Sequence, residues 1–407
     1  MKILFLTHRV PYPPERGDCI RSFNFIRLLS QRHEIHLMSL CFGKMPGPDV
    51  KRNLEKFCRT VGIYQLNYRT NLIRSAPYLL TGTPLTTPMF YSGAMKKALQ
   101  KKVLGEDFDL IYIFSSSMAP YALDIEAVPK IMDFIDVDSE KWRDYAGRSK
   151  GARRWIYSRE ARCLRRYERE IEAACRASVL TTSDEVSLFK SFSPEARVFS
   201  VGNGVDLKAN VDAEIAVRKE KMVFVGVMDY TPNIDAVTWF ARDIFPRILR
   251  ERPDAEFFIV GKNPGREINI LAAEIRGVHV TGHVDNVRSF VASSRVVVAP
   301  LRIARGIQNK VLEAMAAGVP VVATTPAVKG IEAKAGVDFL LADDSRQFAG
   351  NVLRLLDDEA LNRKISSNAR KLVEEKYDWK SKVAELERVI ESIVRGKKGE
   401  AQMAHYD

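Results

Sequence analysis

The sequence has little of what would build a secreted, membrane-spanning or metal-centred protein. Its cysteines, Cys19, Cys41, Cys58, Cys163 and Cys175, are odd in number and show neither a C-x-x-C pair nor zinc-type spacing. That argues against a disulfide framework and for reduced, mostly buried thiols in a cytosolic chain. The histidines, His8, His33, His36, His279, His283 and His405, are scattered and form no metal set. No window approaches the roughly 20 apolar residues that a spanning helix needs. The opening MKILFLTHRV breaks at Thr7, His8 and Arg9 with no small-residue cleavage site behind it, unlike a signal peptide. The expectation is a cytoplasmic chain whose contact with the inner face of the plasma membrane, if made, is peripheral. Helix-turn-helix, RNP and zinc-finger patterns are absent too, so nucleic acid is not an expected partner despite a net charge of +12.

What is present is the alternation of an α/β protein. At 407 residues the chain exceeds one ordinary core, and two domains are expected. Short β-branched runs alternate with amphipathic stretches, the pattern of parallel sheets. Strands are expected at 2–7, 34–40, 110–114, 130–134, 178–181 and 197–200, with a helix near 18–32. A second series starts at Lys221: a strand MVFVG, a helix 234–249, strands 256–260, 278–281 and 296–299, a helix 309–317 and a strand 319–323. Long helices are expected at 345–357, 359–375 and 379–394. The polar stretch 206–220 has neither period and reads as the linker. The domains are therefore expected at 1–205 and 206–378, followed by a helix over 379–395 that crosses back to the first domain and a fraying tail over 396–407. Two doubly wound domains facing each other would put the carboxyl ends of their strands on a shared cleft.

The richest segment is VVVAPLRIARGIQNKVLEAMAAGVPVV, 296–322. A buried strand ends at Pro300, a loop with Gly306 follows, and a helix begins at Asn309. Free N–H groups at a helix start, aided by the dipole, suit a phosphate. Lys310 in the first turn adds a point charge, and Glu313 three residues on shares its face. A carboxylate there can accept hydrogen bonds from two ribose hydroxyls while the lysine holds a diphosphate. The same spacing also fits a plain strand–helix–strand crossover with solvent-facing Lys and Glu.

This segment resembles the donor-site signature of glycosyltransferase family 4, a retaining family of the GT-B fold: two Rossmann-like doubly wound domains. VGNGVDL at 201–207, FVGVMDYTPNIDAVTWFARDIFPRI at 224–248, FIVGKNP at 258–264 and VTGHVDNVRSFVASSRVVVAPL at 280–301 resemble further family segments, in the family's order. Two features depart from its pattern. Arg305 stands where the first of a frequent pair of glutamates would be, and Met228 and Asn233 occupy the region of a common basic pair. The phosphate clamp then falls to Lys310, Arg302 or Arg305. PYPPERGDCIRSF at 11–23 and DFIDVDSEKW at 133–142 are similar to a subgroup tied to bacterial exopolysaccharide synthesis with the PEP-CTERM/exosortase system.

The resemblance implies a hexosyl-transferring glycosyltransferase, without resident metal or cofactor, that takes a UDP- or GDP-sugar. The acceptor would be a saccharide or a polyprenyl-linked saccharide. Donor contacts are implied at Gly17, Gly226, Asn233, Gly261, His283, Arg305, Gly306, Gln308, Asn309, Lys310 and Glu313. Catalytic roles are implied for Asp136 and Asp138, which follow a buried strand and suit orienting an acceptor hydroxyl or stabilising charge on the sugar ring, and for Lys310, which stabilises the leaving diphosphate. Asp138 can equally cap the following helix, and Gly17 can belong to an ordinary Pro/Gly turn. A nucleotide-sugar epimerase uses the same architecture, and a non-catalytic donor-binding homologue would carry the same segments. Residues 141–176 hold about twice as many basic as acidic residues, with Trp155, Ile156, Leu164, Tyr167 and Ile171 at near-helical spacing. They and the apolar stretch 72–89 are candidates for contact with anionic membrane, or else form a solvated helix and its packing partner.

Overall fold

A computed structural model describes residues 1–207, 218–304 and 306–403. Arg305, most of the linker 206–220 and the last four residues of the tail lie outside the described residues. The chain forms two compact units: Met1–Gly202 together with the chain from Lys382 onward, and Asn203–Ser381.

The first unit holds β1 (Lys2–Thr7), β2 (Glu34–Phe42), β3 (Thr60–Leu66), β4 (Leu110–Phe114), β5 (Lys130–Ile135), β6 (Ala177–Leu180) and β7 (Val198–Ser200). They pair in parallel in the order β3-β2-β1-β4-β5-β6-β7, with Lys2 opposite Glu34 and Ile3 opposite Leu110. β4 is buried throughout and β1 nearly so, which explains the unbroken apolar runs LFL and LIYIF: a parallel sheet is covered on both faces. The strand order reverses between β1 and β4, so the loops leaving their carboxyl ends diverge and open a crevice there. β3 is an addition to the expected strands. It is a half-buried edge strand carrying Gly62 and Gln65, and its pairing with 36–42, not its own pattern, makes it a strand.

The helices that position the site are α1 (Gly17–Leu29), α2 (Asp138–Gly147), α3 (Gly151–Ala174), α4 (Thr231–Trp239), α5 (Asn309–Ala316) and α6 (Trp379–Met403). α6 runs beyond the expected end at residue 394, through a stretch rich in helix-forming Lys, Glu, Gln and Ala. Its Glu387 pairs with Arg32 and His33 of the first unit.

The second unit holds β8 (Arg218–Val225), β9 (Glu256–Val260), β10 (Val278–Gly282), β11 (Ser294–Ala299), β12 (Val321–Ala323) and β13 (Leu340–Leu341), parallel in the order β10-β9-β8-β11-β12-β13. Here the order reverses between β8 and β11. The expected helix 234–249 is instead three pieces: α4, a π turn at Phe240–Ile244 and a helix at Phe245–Glu251. Pro246 has no N–H to donate, so the regular ladder cannot run through it. α5 buries Val311, Leu312, Ala314 and Met315 against the sheet, leaving Lys310 and Glu313 together on its other side.

A buried ion pair organises the first unit. Arg21 of α1 donates from Nε and Nη2 to the two carboxylate oxygens of Asp133 on β5, at 2.9 and 3.4 Å. Its Nη1 reaches the carbonyls of Val201 and Gly202 at 2.8 and 3.3 Å. Asp133 also accepts from Tyr112 Oη at 2.7 Å and from the Ile135 amide at 3.0 Å. Arg21 is 1 % and Asp133 0 % exposed, so either charge left alone would be stranded without water. Arg21→Met is expected to cost about 3–5 kcal/mol and to lower the urea midpoint, with Arg21→Met/Asp133→Leu recovering much of the loss. A single variant as stable as the parent would contradict this assignment.

Candidate active site

In the second unit the carboxyl ends of β8 and β9 lie against one another with no side chain between them. Gly261 has φ +150°, and a Cβ there would fall 1.7 Å from the Gly226 carbonyl oxygen. A Cβ on Gly226 would meet the Asn233 amide nitrogen at 2.7 Å. Both glycines are therefore required by close approach, and that approach sets Asn233 beside β8. Asn233 donates from Nδ2 to the Val227 carbonyl at 2.9 Å, which turns its Oδ1 outward.

Lys310 occupies that position. Its Nζ donates to Asn233 Oδ1 at 2.6 Å and lies 4.1 Å from the centre of the Phe224 ring. No carboxylate comes within ion-pair distance of its ammonium among the described residues. Burial in this setting pulls the ammonium down to about 7, with the charge of Glu313 opposing that shift. Burial pushes Glu313 above the usual carboxylate range, while Arg288 and Lys310 pull it back. Lys310 and Glu313 thus share one helix face with incompletely compensated charges.

The start of α5 adds donors. Gly306, at φ +60°, turns the chain before the helix, and Gln308 stands at the N-cap with its amide 3.5 Å from the Gly306 carbonyl. Asn309 accepts from Asn203 Nδ2 at 3.0 Å, while its own Nδ2 is buried with no partner among the described residues. Arg302 is already committed: it makes a forked ion pair with Asp235 of α4 and covers Trp239 at 5.3 Å. His283, just beyond β10, leaves 55 % of its side chain exposed and lies 3.7 Å from Asp285.

In the first unit, Gly17 is the exposed first residue of α1. Asp136 and Asp138 follow β5 through Ile135, which holds φ +70°, an unusual value for a β-branched residue. Asp136 accepts from Thr181 Oγ1 at 3.0 Å, and burial raises its carboxyl above the ordinary range. Asp138 accepts from Ser116 Oγ at 2.7 Å and is the first helical residue of α2, whose N-cap is Val137.

Two features here escape a motif search. His8 Nε2 and Arg9 Nε lie 3.0 and 3.2 Å from Asp18, at the β1 end and the α1 start. Although burial pushes the other way, these contacts hold the Asp18 carboxyl well below the usual range. Glu168 of α3 accepts from both the amide and the hydroxyl of Ser139, at 2.9 and 2.6 Å, and burial raises it to about 8. The signal for the first is the polar triplet flanking PPERGD. Glu168 has none, because it looks like any other charge on a charged helix.

With this geometry in place, comparison identifies the class. Residues 219–358 match the family described as "Glycosyl transferases group 1". The solved structure of HepE from Anabaena, with UDP and glucose, superposes with a TM-score of 0.66 over 96% of this chain and 100% of its own, at 16% identity. Sucrose-phosphate synthase from Thermosynechococcus elongatus gives 0.72 over 97% and 100%, also at 16% identity. The fold is GT-B, and the chain is a glycosyltransferase with a group 1 domain in its second unit. By sequence it is 20% identical to an uncharacterized 44.6 kDa protein in the cps region of Klebsiella pneumoniae, over 93% of this chain and 97% of that one. It is 29% identical to a phosphatidyl-myo-inositol mannosyltransferase of Mycolicibacterium smegmatis over 47% of this chain and 51% of the relative.

The Lys310 environment is directly measurable. In NMR spectra of protein carrying isotope-labelled lysine, one side chain should titrate near 7 and vanish in Lys310→Arg. If every lysine titrates above about 9, the ammonium is solvated and the site is open.

Proposed function

We propose that the chain is a retaining glycosyltransferase of the family 4 type, moving a hexosyl unit from a nucleoside diphosphate sugar to a saccharide or polyprenyl-linked acceptor in bacterial exopolysaccharide synthesis. The observation that carries the donor assignment is Lys310: an ammonium held by a neutral amide, with no carboxylate partner among the described residues, beside the amino end of α5. A diphosphate supplies the missing negative charge, α5 amides and the unpaired Asn309 Nδ2 supply donors, and Glu313 accepts from ribose hydroxyls. HepE, solved with UDP and glucose, supports a uridine donor, and the relative from the cps region supports a polysaccharide role. The narrower PEP-CTERM/exosortase grouping rests on the 11–23 and 133–142 motifs.

In this reading the acceptor hydroxyl attacks the anomeric carbon on the face from which the diphosphate departs, and a phosphate oxygen takes its proton. Lys310 and the α5 dipole stabilise the charge gathered on the leaving group. Asp136 and Asp138 orient the acceptor, and Gly17 lets backbone N–H groups approach the transferred sugar. His283 lines the base, with Gly226, Asn233 and Gly261 shaping the diphosphate pocket. Peripheral contact with anionic membrane is supported by Leu72, Ile73, Leu80 and Trp155, all at least half exposed. Arg159 and Arg166 of α3 hydrogen-bond the carbonyls of 78–83, which ties the segment carrying Leu80 to the helix carrying Trp155.

A thermal-shift screen of UDP-, GDP- and ADP-sugars should give a saturating shift with one donor. Lys310→Ala is expected to slow transfer by about a hundredfold, and Glu313→Ala to weaken donor binding by about tenfold. Because donor binding would recharge Lys310, wild-type affinity should fall as pH rises above about 7 and the Lys310→Arg variant should lose that slope. Near-normal kinetics in both alanine variants would sink the site. Donor consumption without any acceptor would make the protein an epimerase instead, and saturable donor binding without turnover on any acceptor would mark a non-catalytic homologue.

A further inference from the structure

Apart from the donor site, the first unit contains a built cavity of about 270 Å³ between α2 and α3. Ser139, Arg143 and Ala146 line it from α2, and Ser158, Ala161, Arg162 and Arg165 from α3. These positions are spaced by three or four residues along each helix, so a single face of each looks into the groove. Small side chains at Ala146 and Ala161, both buried, form part of its wall. Its size falls just below that of pockets for drug-sized ligands, so the occupant is a small group.

Three guanidinium groups line it, beside the carboxyl groups of Asp138, Glu140 and Glu168. Glu140 pairs with Arg143 at 3.1 Å and with Arg165, whose guanidinium also covers the Phe192 ring at 4.7 Å. Arg162 has no carboxylate partner among the described residues. Glu168, behind Ser139, is raised to about 8 by burial, and both its oxygens are taken up by the Ser139 amide and hydroxyl. The groove thus presents planar donors suited to oxyanions, with Arg162 uncommitted to any carboxylate among the described residues.

We propose that this groove is an anion subsite for a phosphate ester carried by the acceptor. It lies next to Asp138, so a phosphate seated among Arg143, Arg162 and Arg165 would bring the attached saccharide toward the acceptor carboxylates. The identity of the carrier rests on the acceptor reading above; anion binding in the groove does not. A lipid-borne phosphate and a soluble sugar phosphate share this chemistry.

The test is calorimetric titration of the full chain with inorganic pyrophosphate at low salt. The donor site also attracts this probe, so the experiment uses the Lys310→Ala background. Pyrophosphate should still bind there, and adding Arg143→Gln and Arg162→Gln should weaken that binding by about tenfold or more. Arg143→Lys/Arg162→Lys should retain most of it. No binding to Lys310→Ala protein, or binding unaffected by the two glutamines, overturns the proposal. Donor binding by Arg143→Gln/Arg162→Gln with Lys310 intact should be unchanged, so failure of the groove and failure of the donor site give different results. Flotation with vesicles containing about one third phosphatidylglycerol then assigns the source. Loss of vesicle binding in the glutamine variant supports a lipid-borne phosphate, and retained vesicle binding with lost pyrophosphate binding supports a soluble one.

Discussion

The first unit depends on a charge pair that water does not reach. Arg21 and Asp133 lie 112 residues apart in the sequence, and burying them is tolerable because the guanidinium donates at least four hydrogen bonds and the carboxylate accepts four. The guanidinium joins α1 to β5 and to the chain leaving β7. The carboxylate joins β5 to β4 and to its own following loop. That last bond, to the Ile135 amide, helps hold the left-handed turn that delivers Asp136 and Asp138. A structural pair therefore fixes where two acidic side chains emerge from the sheet.

The second unit solves a different problem, holding a cation with no carboxylate at ion-pair distance among the described residues. Lys310 is half-buried against the Phe224 ring, and the oxygen its ammonium bonds is that of a neutral amide. Placing that amide requires the contact of Gly226 with Gly261, since any Cβ would push β8 and β9 apart or displace Asn233. The resulting ammonium is poorly solvated, which lowers its affinity for a proton and raises its affinity for an anion. The two consequences have one cause.

The excess of basic residues is used in two contrasting ways. Arg159 is buried, donating to several carbonyls of the 78–83 segment, while Glu160 beside it caps the amides of Leu85 and Thr86. These bonds fold an apolar stretch against α3 while leaving Leu80 exposed. Arg162 and Arg165, three and six residues further along α3 from Arg159, instead collect with Arg143 of α2 around a cavity. Position on the helix face, not charge, separates the two roles.

The sequence by itself located most strands of both sheets, because parallel strands buried on two faces read as unbroken β-branched runs and the turns between them carry Gly and Pro. It also determined the Lys310/Glu313 pairing, since three residues on a helix place side chains on one face. It did not disclose β3, whose pattern is weak until β2 offers an edge, nor the π turn at 240–244. It left the phosphate clamp open among Lys310, Arg302 and Arg305, and could not show that Asp235, 67 residues away, holds the Arg302 guanidinium. Tertiary structure alone decided the Arg21–Asp133 pair, the His8–Arg9–Asp18 cluster, the buried Glu168 and the arginine groove. Each depends on groups distant in sequence coming close in a low-dielectric setting, and periodicity along one chain carries no information about that.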